Sequence, residues 1–208
     1  VSGRYRGLKA DIWDGGHRVP FIVRWPGQVD PGSTSDQLIT LVDFFATVSE
    51  ITGEKAPNMA EDSVSFLPAL LGEPIQSSRK GVIHHSLSGH FAYRQGKWKL
   101  ILARGSGGVS SPMERNVGED ALPAQLYDME KDPSEKNNLY LSYPEVAQGL
   151  LAALTDDIQN GRSTAGPEAT NDVTDIKLWK SGEPGTPARG AKSKSREKPR
   201  RTRSKKTE

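Results

Sequence analysis

Residues 4–27, RYRGLKADIWDGGHRVPFIVRWPG, constrain the fold more than any other stretch of the chain. Phe21-Ile22-Val23 has the composition of a buried strand, and Trp25-Pro26-Gly27 closes it, because Pro and Gly punctuate strands. Gly15-Gly16 permits a backbone bend that a side chain would forbid, just before the chain enters that strand. Arg6, Lys9, His17 and Arg18 therefore lie on the approach to a rigid element, the kind of place where binding chemistry is usually found.

Beyond Gly27 the chain alternates between loop chemistry and short apolar elements. Pro, Gly, Asp, Ser and Thr dominate residues 28–35, and a helix is predicted within 36–52. Leu38, Leu41, Val42, Phe45 and Val48 recur at threes and fours along it. Thr34 and Gln37 have capping-box spacing, and Gly53 is placed to end it. Residues 66–72 make a short apolar turn or helix. From Gly81 the texture becomes strand-like: Val82-Ile83-His84-His85, then Phe91–Arg94 and Trp98–Leu102 as a hairpin around Gln95-Gly96, then Gln125–Asp128. The imperfect alternation of Trp98-Lys99-Leu100-Ile101-Leu102 fits a sheet covered on both faces. Residues 104–124 form a Gly/Ser/Pro-rich loop of a length that is usually functional or disordered. A second helix is expected over Pro144–Asn160, with Ser142 and Glu145 as a capping box and Val146, Leu150, Leu151, Leu154 and Ile158 on one face.

Charge is distributed unevenly. From Lys180 to the end there are 11 Lys+Arg against 3 Asp+Glu, or +8, which leaves 17 against 23, or −6, for residues 1–179. The tail has no apolar side chain larger than Ala and is expected to be disordered. Its basic run, Arg189–Lys206, lacks interleaved aromatics, so the preferred reading is a solubilising or envelope-associated extension rather than a nucleic-acid binder. No apolar run reaches 18 residues, so no membrane span is expected. Zero cysteines rule out a disulfide framework.

Three blocks resemble a known family. RGLKADIWDGGHRVPFIVRWPG is similar to the segment of type I, formylglycine-dependent sulfatases in which R-G-x-K precedes an aromatic residue, an acidic residue and Gly-Gly-x-Arg. Phe91–Leu100 resembles the hairpin of a sulfatase C-terminal region, and Gln125-Leu126-Tyr127-Asp128 with Asp132-Pro133 resembles its L-Y-D-x-x-x-D-P turn. The resemblance covers residues 4–145 and implies an α/β fold. That fold is the C-terminal part of an alkaline-phosphatase-like sulfatase, with a small antiparallel sheet plus helix subdomain and a disordered basic tail. The expected division is 1–75 as the end of the main domain, 81–161 as the sheet and helix subdomain, 162–179 as an extended segment and 180–208 as the tail. The chain opens inside the motif without an initiating Met and is read as a fragment.

The resemblance also implies chemistry. Sulfate-ester hydrolysis needs a nucleophile, positive charge for the sulfuryl oxygens and a proton for the leaving alcohol, and electrostatic stabilisation usually contributes most to the rate. Lys9 matches the family's sulfate-reaching lysine and is the catalytic candidate; a plain solvated lysine is the alternative. Arg18 is a candidate substrate ligand, although pairing with Asp14 or Asp11 across the Gly-Gly turn is its preferred role. His17, His85 and His90 are candidate contacts to sugar hydroxyls or sulfate, each balanced against a histidine of no special role. His84 and His85, on a strand, point to opposite faces and cannot chelate one metal side by side, so no metal site is assigned.

The family's formylglycine arises from Cys or Ser in C/S-x-P-x-R. Ser110-Ser111-Pro112-Met113-Glu114-Arg115 places its Arg one residue late, so no nucleophile is assigned, and the family's calcium ligands have no counterpart here. The expectation is the back portion of a sulfatase acting on sulfated carbohydrate or aryl sulfate, inactive alone and needing the N-terminal part of its own domain. By family it would be periplasmic or secreted. A phosphatase or phosphodiesterase of the same superfamily, or a non-catalytic anion- or glycan-binding remnant, are the alternatives.

Overall fold

The computed structural model describes residues 2–55, 58–118, 120–182 and 184. The expected disordered tail therefore falls, apart from residues 180–182 and 184, outside the described residues. Four strands form one antiparallel sheet in the order β1-β2-β3-β4: β1 (Val82–His85), β2 (Phe91–Gln95), β3 (Trp98–Ile101) and β4 (Gln125–Asp128). The β2–β3 hairpin turns through Gly96 and Lys97, with Gly96 at φ 54°. Such a positive φ suits a glycine and matches the twist of the flanking strands.

Period-two alternation divides the sheet's side chains between two cores. Phe91, Tyr93, Leu100 and Leu126 pack with Ala147, Leu150 and Leu154 of helix α3 (Pro144–Gln159). Ala92, Ile101 and Tyr127, on the opposite face, pack with Ile12 and Trp13 of the N-terminal segment. Both faces are thus covered, as the broken alternation in β3 implied. The C-terminal segment adds Ile176, Leu178 and Trp179 to the α3 side. No helix among the described residues is long and apolar enough to cross a membrane.

Helix α3 starts with Pro144 at its first turn, where a missing N–H costs nothing. The Ser142–Glu145 capping box is not made, since no side-chain cap bonds its first turn. Helix α1 (Phe44–Thr52) is shorter than the predicted 36–52 span and follows a 3-10 turn at Leu41–Asp43. The capping box is formed by Thr40 and Asp43 at that 3-10 turn rather than by Thr34 and Gln37, and α1 itself has no side-chain cap. Gly53 ends α1 in the left-handed conformation, as expected. The side chain that α1 buries is Thr47, whose hydroxyl bridges the Asp43 carbonyl and the Phe66 amide just ahead of α2 (Leu67–Leu70). Phe21, Phe44 and Phe66 meet edge to face at 5.1–5.5 Å, a favourable aromatic geometry.

Two expectations change here. Residues 21–23 form no strand and pair with none, and Ile22 is 90% exposed. Leu41, Val42, Phe45 and Val48 of the predicted apolar stripe are also exposed. The physical reason is shared: a strand needs a ladder partner and an apolar helix face needs a surface to cover, and the described residues supply neither. A contiguous apolar surface of this kind marks an interaction site.

Leu154 is fully buried between α3 and the sheet. Leu154→Ala is expected to lower unfolding stability by about 3 kcal/mol, the transfer and cavity cost of a buried leucine. Urea titration followed by circular dichroism checks this, and a loss under about 1 kcal/mol would place Leu154 outside the main core.

Candidate functional site

The N-terminal segment is fastened to the sheet by one buried lysine. Lys99 points away from α3 toward residues 12–14 and is fully buried. Its ammonium donates to the Ile12 carbonyl at 3.0 Å and to Asp14 Oδ1 at 2.8 Å. It also lies 2.8 Å from Glu135 Oε1, a charge contact outside hydrogen-bond geometry. Glu135 is itself fully buried at φ 52°, beyond the Asp132-Pro133 turn. Its other oxygen accepts the Asp14 amide at 2.6 Å, and its carbonyl accepts from Arg6 at 2.7 Å. Burial pushes the Asp14 carboxyl up, but Lys99 and Arg18 outweigh this and hold it down at about 2. Glu135 moves the other way, raised by burial and by Asp14 against the pull of Lys99.

Gly15-Gly16 works by close approach rather than by unusual dihedrals. A Cβ at Gly15 would sit 2.4 Å from the Arg6 and Gly7 carbonyl oxygens, and one at Gly16 would sit 2.3 Å from that of Asp11. The pair lets the chain fold back against residues 6–11, with Gly15 N–H donating to the Arg6 carbonyl at 2.7 Å.

That fold presents Lys9. Asp11, fully buried, accepts from the amides of Leu8 (2.8 Å), Val109 (2.8 Å) and Ser110 (3.0 Å). Burial opposes the charged form of Asp11, and these bonds with Ser110, Leu8 and Val109 overcome it, so its carboxyl is lowered. Ala10 is held at φ 91°, a region that L residues rarely occupy. Its carbonyl accepts from Leu87 at 2.9 Å. A side chain on Gly108 would meet that carbonyl oxygen at 2.4 Å, so the loop beyond Arg104 presses directly on the Lys9 turn. Glu114 ties the same loop down by accepting from the Arg104, Gly105 and Gly107 amides. Residues 104–114 are thus held by hydrogen bonds. Lys9 itself is exposed, and no described residue engages its ammonium.

The other candidates are spread around this turn. Arg18 donates to Asp14 Oδ2 at 2.9 Å and to the Tyr5 hydroxyl at 3.0 Å, which is the expected pairing across the glycines. His17 meets His84 edge to face at 4.4 Å. Both rings leave a buried Nε2 without a partner in the described residues. His85 is exposed and lies against Phe91 at 4.3 Å, on the opposite face from His84 as alternation requires. His90 is buried, with Nε2 2.9 Å from the Ser181 hydroxyl and 3.9 Å from Glu114 Oε2. Lys99 and Glu135 were not singled out from the sequence. The available signal was a charged residue at an inward position of a strand. Among the described residues no group of three or more acidic or imidazole side chains could hold a metal ion. These residues do not fit a calcium site.

The histidines should govern acid stability. Burial, then the Lys99 charge, lowers His17 to about 4 from an ordinary 6.5, and the same two causes hold His84 well below that value. The unfolded chain takes up protons between pH 6.5 and 4 that the folded chain refuses. Stability is therefore fully present above the unfolded value and declines as pH falls toward 4. Urea midpoints from pH 7.5 to 4.5 are expected to fall, and less steeply in His17→Gln; identical slopes would refute a buried neutral imidazole. Lys99→Ala, which strands two buried carboxylates, is expected to cost about 3–5 kcal/mol at pH 7 in the same assay.

Comparison with known proteins agrees with this geometry. Residues 9–105 match the family model described as N-sulphoglucosamine sulphohydrolase, C-terminal. The chain is 36% identical over 153 residues to an N-acetylgalactosamine-6-O-sulfatase of Bacteroides thetaiotaomicron, covering 73% of this chain and 29% of that protein. It is 33% identical to arylsulfatase A of Bos taurus, covering 74% of this chain and 32% of that one. A solved structure from work on glycosaminoglycan metabolism by Bacteroides thetaiotaomicron superposes with a TM-score of 0.62 at 35% identity, over 74% of this chain and 32% of that chain. Another, Ps i-CgsB, superposes at 0.59 with 19% identity over 80% of this chain and 34% of its own, a likeness of fold alone. The chain thus spans about a third of the length of the curated relatives it matches. With the R-G-x-K turn, the Gly-Gly close approach and the sheet–helix unit behind them, these matches place the chain in the sulfatase family, corresponding to the C-terminal region of its members.

Proposed function

We propose that this chain forms the C-terminal wall of a sulfate-ester hydrolase and contributes Lys9 as the cation that receives the sulfuryl oxygens. One observation carries this reading. Lys9 is exposed and unpaired, yet the turn beneath it is held by three backbone amides donating hydrogen bonds to the buried Asp11 carboxylate and by a non-glycine residue at positive φ. Strained backbone kept in place by its surroundings is a feature of functional sites. An ammonium on such a turn needs no reorganisation when charge develops on the sulfate, and this gives a preorganised donor its effect.

The nucleophile and the metal are supplied by other residues in this reading. The chain has no Cys, and its described residues offer no metal-holding group. The exposed apolar surface of Phe21, Ile22, Leu41, Val42, Phe45 and Val48 is where the N-terminal portion of the same enzyme would pack, giving residues 21–23 a sheet to join. Sulfated carbohydrate or an aryl sulfate is the substrate class, in keeping with the N-acetylgalactosamine-6-O-sulfatase and arylsulfatase A relatives. Arg18 braces the Lys9 turn through Asp14, and His17 lies beside it against His84, whereas His85, against Phe91, and the buried His90 have no assigned contact to the approach. His17 and His84 serve as neutral imidazoles and Arg18 as the brace on Asp14.

The test uses the intact enzyme that contains this region. Lys9→Ala is expected to lower kcat/KM on an aryl sulfate by ~10²-fold, the scale of one lost oxyanion donor, with an unchanged melting temperature. Full turnover in that variant would remove Lys9 from the site.

A further inference from the structure

A second cationic site lies beside the Lys9 turn. Gly3, Arg4, Tyr5, Arg6, Ser134 and Lys136 line an open basin of about 660 Å³. Three of these six residues are cations and none is acidic. Among the described residues no carboxylate pairs with Arg4, Arg6 or Lys136. This is unexpected on charge alone, because residues 1–179 carry 17 basic against 23 acidic side chains. Several cations elsewhere in the fold are paired, among them Arg79 with Asp43, Lys97 with Asp128 and Lys99 with Asp14 and Glu135.

The basin is also built rather than incidental. The Arg6 guanidinium lies 3.6 Å over the Trp13 ring and donates to the Glu135 carbonyl at 2.7 Å. The Ser134 hydroxyl donates to the Arg4 carbonyl at 2.8 Å, joining the basin's two walls. Asp132 accepts the Lys136 amide at 2.8 Å and so orients the far wall. The Tyr5 ring has the Arg4 guanidinium 5.4 Å and that of Arg18 4.5 Å from its centroid, which keeps positive charge at the rim.

Resting on the sulfate-ester reading above, we infer that this basin is a subsite for an anionic glycan, holding a sulfate or carboxylate group on a sugar unit other than the one whose ester is cleaved. Arg6 and Lys9 are three residues apart, so their Cα atoms lie at most about 11 Å from one another. An extended polyanionic chain seated at Lys9 therefore needs to span only about that distance to reach the basin that Arg6 lines, and the basin's volume suits a glycan rather than a single small anion. The basin sets a preference for polymeric over small aryl substrates without touching the reacting sulfate.

Calorimetric binding of a chondroitin 6-sulfate hexasaccharide to the full chain tests this. Arg4→Gln with Lys136→Gln is expected to weaken binding about fivefold and to reduce its sensitivity to added salt. Both side chains are exposed, so the unfolding midpoint should not move. The basic tail is present in every variant, so the difference isolates the basin. A hyaluronan hexasaccharide, which carries carboxylates alone, separates the two anion sources. A loss confined to chondroitin sulfate assigns the basin to sulfate, and a loss on both assigns it to the glycan carboxylate. No binding by the unaltered chain, unchanged affinity in the double variant, or an equal loss toward an oligothymidylate of matching charge overturns the subsite. Failure of the sulfate-ester reading registers separately, as full turnover in Lys9→Ala of the intact enzyme while the double variant still binds the glycan weakly.

Discussion

A lysine ammonium with no access to water is the contact on which the rest of this fold depends. Lys99 sits on the central strand pair, and everything it touches lies far away in the chain: Ile12 and Asp14 before the sheet, Glu135 after it. Desolvating that charge is costly, and it persists because a backbone carbonyl and two carboxylates surround it. The excess negative charge is balanced in turn by Arg18 at 2.9 Å from Asp14 and Arg94 at 4.0 Å. The network fixes position more than it adds stability, since a buried ion pair gains little over well-packed apolar side chains. Its consequence is that residues 6–18 cannot slide on the sheet.

From that anchor the site follows by short steps. The glycines let residues 14–16 close on residues 6–11, and Asp11 then draws Val109 and Ser110 onto the turn. The result is an exposed lysine standing on a segment with no slack. Gln125 extends the same logic across the sheet, accepting from the Trp13 indole at 2.9 Å and donating to the Ala103 and Gly105 carbonyls at 2.8 Å. Functional side chains thus ride on loops, while the loops are bonded to buried groups of the scaffold, the arrangement that positions charge before substrate arrives.

Much of the sheet and helix was legible in order and spacing. Strand alternation, the Gly96 turn and the 3.6-residue stripe of α3 placed those elements within a residue or two, because each answers to local periodicity. The Arg18–Asp14 pair was also readable, being four residues apart across a turn. Residues 21–23 and the stripe of α1 were read as apolar and therefore buried, and here the inference failed. Hydrophobicity states what a segment would gain by burial, but a partner surface must be present for the burial to occur. The Thr34–Gln37 and Ser142–Glu145 spacings failed for a related reason: a capping box needs the backbone to enter the helix at that residue, and Thr40 and Tyr143 took that position.

By itself the sequence determined the family, the strand and helix order, the place of Lys9 on a glycine-bounded turn and the division of charge between body and tail. Those properties are local, carried by motif spacing, periodicity and composition. Tertiary structure alone decided that Lys99 is a buried hub, that Glu135 answers it from beyond the Asp132-Pro133 turn, that His17 meets His84 and that Arg4 and Lys136 share a basin without an acid. Each depends on which distant residues are brought within a few ångströms, where burial sets the cost of an unpaired charge, and no spacing along the chain encodes that distance.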